Sequence, residues 1–173
     1  FGNTKAIQVI LRMAAAHGFR RVITTVDGIL STPAASNLIR SYKAIAGIIL
    51  SASHNPGGLE GDFGVKLNSS NGGPAPESLT EEIYQCTQSL EHYKIIDGPD
   101  FSLKVPGNYL IGTMEVEVID GVKDYIQLMQ KIFDFDSISD LLNNDFAIAF
   151  DAMNAVTGPY AYKLFEELLG SSK

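Results

Sequence analysis

Ala46-Gly47-Ile48-Ile49-Leu50-Ser51-Ala52 is an unbroken run of small and apolar residues, and it stops at Ser53-His54-Asn55-Pro56-Gly57-Gly58. The run has the length of one strand. Its apolar character is continuous rather than alternating, which predicts a strand covered on both faces, as in α/β sheets. Working upstream, Ala6, Ile7, Ile10, Leu11, Ala14 and Ala15 recur at helical spacing and Gly18 follows, which predicts a helix over residues 4–17. Residues 21–26 are rich in β-branched side chains and end at Asp27-Gly28, a strand and a turn. Thr32-Pro33 supplies an N-cap and a first helical position for a short helix ending near Tyr42.

Working downstream, residues 53–62 form a loop dense in Gly and Pro, and residues 63–67 form a returning strand. Asn71-Gly72-Gly73-Pro74 marks a turn. A helix is expected over residues 76–93, with Leu79, Ile83, Cys86 and Leu90 along one side and Cys86 in the core. Residues 94–114 read as a connection with little regular structure. A second register follows: a strand over 115–119, helices over 121–133 and 137–142, a buried strand over 146–150 (Phe-Ala-Ile-Ala-Phe), and a helix over 159–169. This order gives an α/β fold with a mixed β-sheet packed between helices, followed by the start of a second, similar α/β unit. The expected division is residues 1–118 and 119–173.

Composition narrows the function classes. The 173 residues are 45% hydrophobic and 19% charged, which suits a packed interior and argues against disorder. No apolar run approaches the roughly 20 residues that span a bilayer, so no membrane insertion is expected. Residues 1–18 have no leading basic cluster and no small-residue cleavage site, so no signal peptide is expected. A single cysteine excludes an intrachain disulfide framework and fits a reducing, cytoplasmic setting. Thirteen basic against twenty acidic residues give a net charge of −7, which disfavours nucleic acid as a partner.

The segment that carries chemistry is the end of the apolar run. Ligand sites in open α/β sheets gather beyond the carboxyl ends of strands, and here a hydroxyl and an imidazole, Ser53 and His54, follow such an end. Glycines at 57, 58, 61 and 64 would let backbone N–H groups approach an anion. Pro56 fixes one φ and keeps Asn55 extended. Neither a Gly-x-x-x-x-Gly-Lys-Ser/Thr phosphate loop nor a Gly-x-Ser-x-Gly elbow is present. Neighbouring side chains of extended backbone point apart, so Ser53 and His54 do not form a hydrogen-bonded pair. On residue types alone the segment reads either as a surface turn or as a hydroxyl held still and presented outwards.

Ser51-Ala52-Ser53-His54-Asn55-Pro56 resembles the phosphoserine signature of the α-D-phosphohexomutases. The resemblance extends through Asp27-Gly28-Ile29-Leu30-Ser31-Thr32-Pro33-Ala34, Gly61-Asp62-Phe63-Gly64-Val65-Lys66 and Asn71-Gly72-Gly73-Pro74-Ala75-Pro76-Glu77. It continues through Ile132-Phe133-Asp134-Phe135 and Phe150-Asp151-Ala152-Met153, so it covers essentially the whole chain. These motifs are similar to the phosphoglucomutase branch, its eukaryotic-type and parafusin-like members above all.

The resemblance implies a reaction and its residues. A phosphoserine at Ser53 would exchange its phosphoryl group with glucose 1-phosphate and glucose 6-phosphate through glucose 1,6-bisphosphate, with Mg²⁺ as cofactor. One oxygen of the phosphorylated Ser53 would be the chain's contact with the metal. His54 would hydrogen-bond the phosphoryl oxygens or a sugar hydroxyl, and Lys66 would transfer a proton beside Ser53. Ser53, His54 and Lys66 are thus the expected catalytic and substrate-binding residues. Asn55 is expected to hold the turn through its side-chain amide, and His17 and His92 to be surface residues. Asp62 is not expected to bind metal, since the family's metal carboxylates lie in a D-G-D-x-D-R loop that this sequence lacks, and Asp120, Asp124, Asp134 and Asp136 do not replace it. The G-T-S-G, G-E-E-S and C-terminal phosphate-binding segments are absent as well, so the chain is expected to be a piece of a longer protein and inactive alone. The alternatives that the resemblance leaves open are a phosphomannomutase, or a non-catalytic parafusin-like member acting as a scaffold or in exocytosis.

Overall fold

The computed structural model describes residues 2–144 and 146–171. Its best-determined element by sequence is the strand β5, Met114–Ile119, in Met-Glu-Val-Glu-Val-Ile order. Met114, Val116 and Val118 are buried at 0–2% exposure while the alternate residues are half-buried. Each such burial stabilises the fold by roughly 1.5–3 kcal/mol. β5 is the middle strand of a three-stranded sheet, parallel to β1 (Arg21–Thr25) and antiparallel to β4 (Gly107–Ile111). β4 and β5 form a hairpin that turns at Gly112, whose φ of 60° is the left-handed conformation glycine tolerates. β4 corrects the expectation that residues 94–114 lack regular structure. Its Gly-Asn-Tyr-Leu-Ile sequence has no strict alternation, because only its pairing with β5 makes it a strand.

The helix α1 (Asn3–Ala16) packs Leu11 on this sheet, beside Leu103, Met114, Val116 and Val118. The connection before β4 is pinned to α1 by a reciprocal pair: Gln8 Nε2 donates to the Phe101 carbonyl at 2.7 Å, and the Phe101 amide donates to Gln8 Oε1 at 2.8 Å. α2 (Thr32–Ser41) is capped by Ser31, whose Oγ accepts from the Ala34 amide, rather than by Thr32. Ser31 is the last extended residue (ψ 152°), which places its hydroxyl over the first turn. Ala34 of α2 joins Val122, Ile126 and Tyr160 in a second cluster, and the Tyr160 hydroxyl accepts the Ser31 amide at 3.0 Å. Val122 and Ile126 belong to α4 (Gly121–Ile132).

β2 (Ala46–Ser51) and β3 (Gly64–Ser69) form a separate antiparallel pair. The expected burial of β2 on both faces is not found: Ile48 is 53% exposed and Val65 opposite Leu50 is 65% exposed. Among the described residues β2 pairs with β3, and α2 packs on it with Ile39 beside Gly47, which leaves Ile48 turned outwards. α3 (Glu77–Gln88) ends short of the expected residue 93 and buries none of its residues. Cys86 is exposed, not core. The spacing is helical, but Leu79, Ile83 and Leu90 remain 39–64% exposed, so the stripe is not a core face among the described residues.

The remaining helices are α5 (Phe135–Asn143), α6 (Gly158–Ala161) and a π-helical continuation over Tyr162–Leu168. Residues 146–150 form no strand, and Phe146, Ile148 and Phe150 are about half exposed. A lone extended segment leaves its backbone donors unpaired, and here Phe150 instead leans on Phe165 with ring centroids 5.9 Å apart.

The cap of α4 generates a prediction. Asp120 accepts from the Val122 amide at 3.0 Å and pairs with the Lys163 ammonium. Partial burial pushes the Asp120 carboxyl up, but the Lys163 hydrogen bond and the Val122 and Lys123 amides outweigh it and hold the group below the ordinary carboxylate value. A depressed folded-state value contributes stability above the unfolded value and loses it as the pH falls through the folded one. The chain is therefore expected to lose stability as the pH drops below about 4. Asp120→Ala is expected to cost about 1 kcal/mol at pH 7 and to flatten that acid limb, as measured by circular dichroism melts from pH 7 to pH 3.

Candidate functional site

The site is built by the turn that joins β2 to β3. The register pairs Ile49 with Lys66 and Ser51 with Gly64, so Lys66 shares a sheet face with Ser51, two rungs inside the end of the ladder. Gly64 stands between Lys66 and the turn. A side chain there has no room, since its Cβ would lie 2.6 Å from the Ser51 carbonyl oxygen. The bare position leaves the Lys66 ammonium free to reach over it, and Nζ donates to Ser53 Oγ at 3.4 Å.

Ser53 itself is exposed and held in a left-handed conformation, φ 59°. Its amide donates to Ser51 Oγ at 2.9 Å, and the Asn55 amide donates to the Ala52 carbonyl at 3.1 Å. The far side of the loop folds back on this turn. The Asp62 amide donates to the Pro56 carbonyl at 2.9 Å, and Asn55 Nδ2 donates to Asp62 Oδ2 at 2.5 Å. Gly61 passes so close to Pro56 that a Cβ would sit 2.3 Å from the Pro56 oxygen. Two of the four glycines expected to open backbone amides to an anion thus have another reason to be glycine. At 61 and 64 two stretches of main chain meet, and the Gly61 amide is engaged by the Gly58 carbonyl.

An open pocket of about 230 Å³ results, bounded by Ser51, Ser53, Asp62, Phe63, Gly64 and Lys66. Its floor offers a hydroxyl beside an ammonium, a pairing suited to receiving a phosphoryl group. A larger open cavity, about 440 Å³, lies between α1 and residues 96–112. Its one cation, Arg12, is already occupied by the Gly98 and Gln8 carbonyls and by Asp100, so that cavity has less to offer an anionic ligand.

Ser53 and Lys66 are therefore brought together. His54 is exposed, and its imidazole makes no hydrogen bond among the described residues. Asn55 does hold the turn by its side-chain amide, and His17 and His92 are exposed. Among the described residues no group of three His, Cys, Asp or Glu side chains could hold a metal ion, so the residues present do not by themselves fit Mg²⁺. Asp120 and Asp134 are instead helix caps. Reading the sequence missed two contributors, the Ser51 hydroxyl that receives the Ser53 amide and the Asp62 carboxylate that receives Asn55. Both contacts depend on the path of the loop, which spacing does not encode.

Residues 1–94 match the family model described as phosphoglucomutase/phosphomannomutase, alpha/beta/alpha domain I. A phosphoglucomutase of Rhizobium radiobacter is 50% identical over 171 residues, covering 99% of this chain and 32% of that protein. A phosphoglucomutase of Schizosaccharomyces pombe is 52% identical over 170 residues, covering 97% of this chain and 31% of that protein. The chain thus spans 31–32% of the length of these relatives. The crystal structure of Paramecium parafusin, an exocytosis-sensitive phosphoprotein and phosphoglucomutase, in its open form, superposes with a TM-score of 0.94 at 44% identity, over 100% of this chain and 33% of that one. With the mixed strand pairing, the helices and the Ser53 turn in place, these matches show that the chain belongs to the phosphoglucomutase/phosphomannomutase family.

Proposed function

We propose that the protein to which this chain belongs is a phosphoglucomutase, and that Ser53 is its phosphoryl carrier. The observation that carries the reading is the Lys66 ammonium 3.4 Å from Ser53 Oγ at the open end of the β2–β3 pair. The relatives named phosphoglucomutase support the choice of substrate, glucose 1-phosphate and glucose 6-phosphate. Residues 1–118 would be the first domain and residues 119–173 the opening of a second.

In the forward direction the 6-hydroxyl of glucose 1-phosphate attacks the phosphorus on Ser53. The new O6–P bond forms as the Oγ–P bond breaks, and the hydroxyl proton ends on Ser53 Oγ. Glucose 1,6-bisphosphate results. After it turns round in the site, Ser53 Oγ attacks the 1-phosphoryl group: the new Oγ–P bond forms as the O1–P bond breaks, the Ser53 proton ends on O1, and glucose 6-phosphate leaves. Phosphoryl transfer asks chiefly for positioning and charge neutralisation. A phosphoserine carries about −1.5 to −2 charge, and Lys66 is the cation placed to offset it and to hold or release the moving proton. His54, next to Ser53 and exposed, is free to hydrogen-bond a phosphoryl oxygen or a sugar hydroxyl. Mg²⁺ belongs to the reading through the family. This chain offers it only an oxygen of the phosphorylated Ser53, and the remaining ligands would come from elsewhere in the whole protein. A cytoplasmic location is part of the same reading, supported by the single cysteine. Among the described residues no helix is long and apolar enough to cross a membrane.

The test is made in the whole protein. Ser53→Ala is expected to lower turnover by several orders of magnitude, because the covalent route is gone. Labelled glucose 1,6-bisphosphate is expected to label the wild type at Ser53, and equal labelling of the alanine variant would sink the assignment. Lys66→Ala is expected to lower kcat by at least about 10² while Ser53 can still be labelled. Lys66→Arg keeps the charge but cannot lose a proton near neutral pH, so recovery by arginine marks an electrostatic role and failure to recover marks proton transfer. The 173-residue chain alone is expected to show no steady-state mutase turnover, as measured by coupled formation of glucose 6-phosphate.

A further inference from the structure

Ser53, His54, Asn55, Pro56 and Asp62 are all exposed. The turn that presents Ser53 is little buried, so its shape rests on hydrogen bonds, on the close main-chain approach at Gly61 and on the backbone angles Pro56 restricts. One residue on the far side of the loop holds the turn at two points. The Asp62 amide binds the Pro56 carbonyl, and the Asp62 carboxylate binds the Asn55 side-chain amide at 2.5 Å. Asn55 in turn closes the tight turn around Ser53 through its own amide to Ala52. Backbone alone makes the Pro56 link, so any residue but proline at 62 supplies it. The Asn55 link needs a short side chain with an acceptor, and a carboxylate makes the stronger, charge-assisted bond.

We propose that Asp62 is a positioning residue: through Asn55 it fixes where Ser53 presents its hydroxyl to Lys66. The proposal rests on the reading of Ser53 as phosphoryl carrier. Asp62 borders the same pocket as Ser53 and Lys66, and a free carboxylate there would oppose a phosphoryl dianion. Turned onto Asn55, it contributes geometry instead, and in the described residues it joins no metal-binding group. A misplacement of about 1 Å in such a site can cost 10²-fold in rate.

The experiment uses the whole protein and compares Asp62→Ala, Asn55→Ala, the double variant, Asp62→Asn and Ser53→Ala. Asp62→Ala and Asn55→Ala are each expected to lower kcat by about 10- to 100-fold with KM within about threefold of wild type, since neither residue is asked to touch the sugar. The double variant is expected to lose no more than either single one, the mark of two residues acting as a unit. Asp62→Asn keeps an acceptor oxygen and is expected to recover part of the rate. Melting midpoints are expected to stay within about 2 °C, as for exposed positions. A purely structural role would move the melting point and leave no kcat–KM split. The proposal is overturned by Asp62→Ala turning over within twofold of wild type, by losses that add in the double variant, or by a KM effect with kcat unchanged. If any of these occurs while Ser53→Ala is inactive, only the role of Asp62 falls. If Ser53→Ala retains turnover, the reading of Ser53 falls and this proposal with it.

Discussion

The rung that joins Ser51 to Gly64 is the constraint from which the site follows. It closes the β2–β3 ladder, and everything beyond it must return within the length of one loop. Because antiparallel partners face the same side, fixing this rung also fixes Lys66, two residues further along β3, on the side where the turn emerges. A slip of one residue would send the ammonium to the opposite face. The pairing Ile49–Lys66 is thus as much a part of the chemistry as the ammonium itself.

The rest of the described chain supports that ladder through α2. β2 follows α2 after a short turn, and α2 is fastened at its start by Ser31, whose hydroxyl caps the helix while its amide binds Tyr160. Tyr160 lies far along the chain and packs with Val122 and Ile126 of α4, against Ala34. Residues on both sides of position 118 therefore share one apolar cluster, and the orientation of α2 is set jointly by them.

The elements most legible in the sequence were those whose burial pattern is self-contained. β5 announced itself by alternation and α1 by helical spacing, because each meets its neighbours within the described chain. That Lys66 lies beside Ser53 was implied by the family resemblance, and the short loop and returning strand do bring the two within reach. What escaped was whatever depends on another segment. β4 is a strand only because β5 lies beside it. Phe146, Ile148 and Phe150 alternate as a strand would, yet find no strand to pair with among the described residues. Cys86 sits on a stripe whose spacing is right for a core, but periodicity reports which residues share a face, not what lies against it. Asp62 escaped for the opposite reason: it is a polar residue in an exposed loop, and such residues have no periodic signature.

The left-handed backbone of Ser53 sets stability against chemistry at one position. Glycine adopts that conformation without penalty and asparagine with little, whereas a serine there is strained by an amount of order 1 kcal/mol. Drift toward a more stable sequence would therefore favour replacing this hydroxyl. Thermostabilising substitutions chosen by backbone fit alone would be drawn to residue 53, and each would remove the hydroxyl that accepts from Lys66.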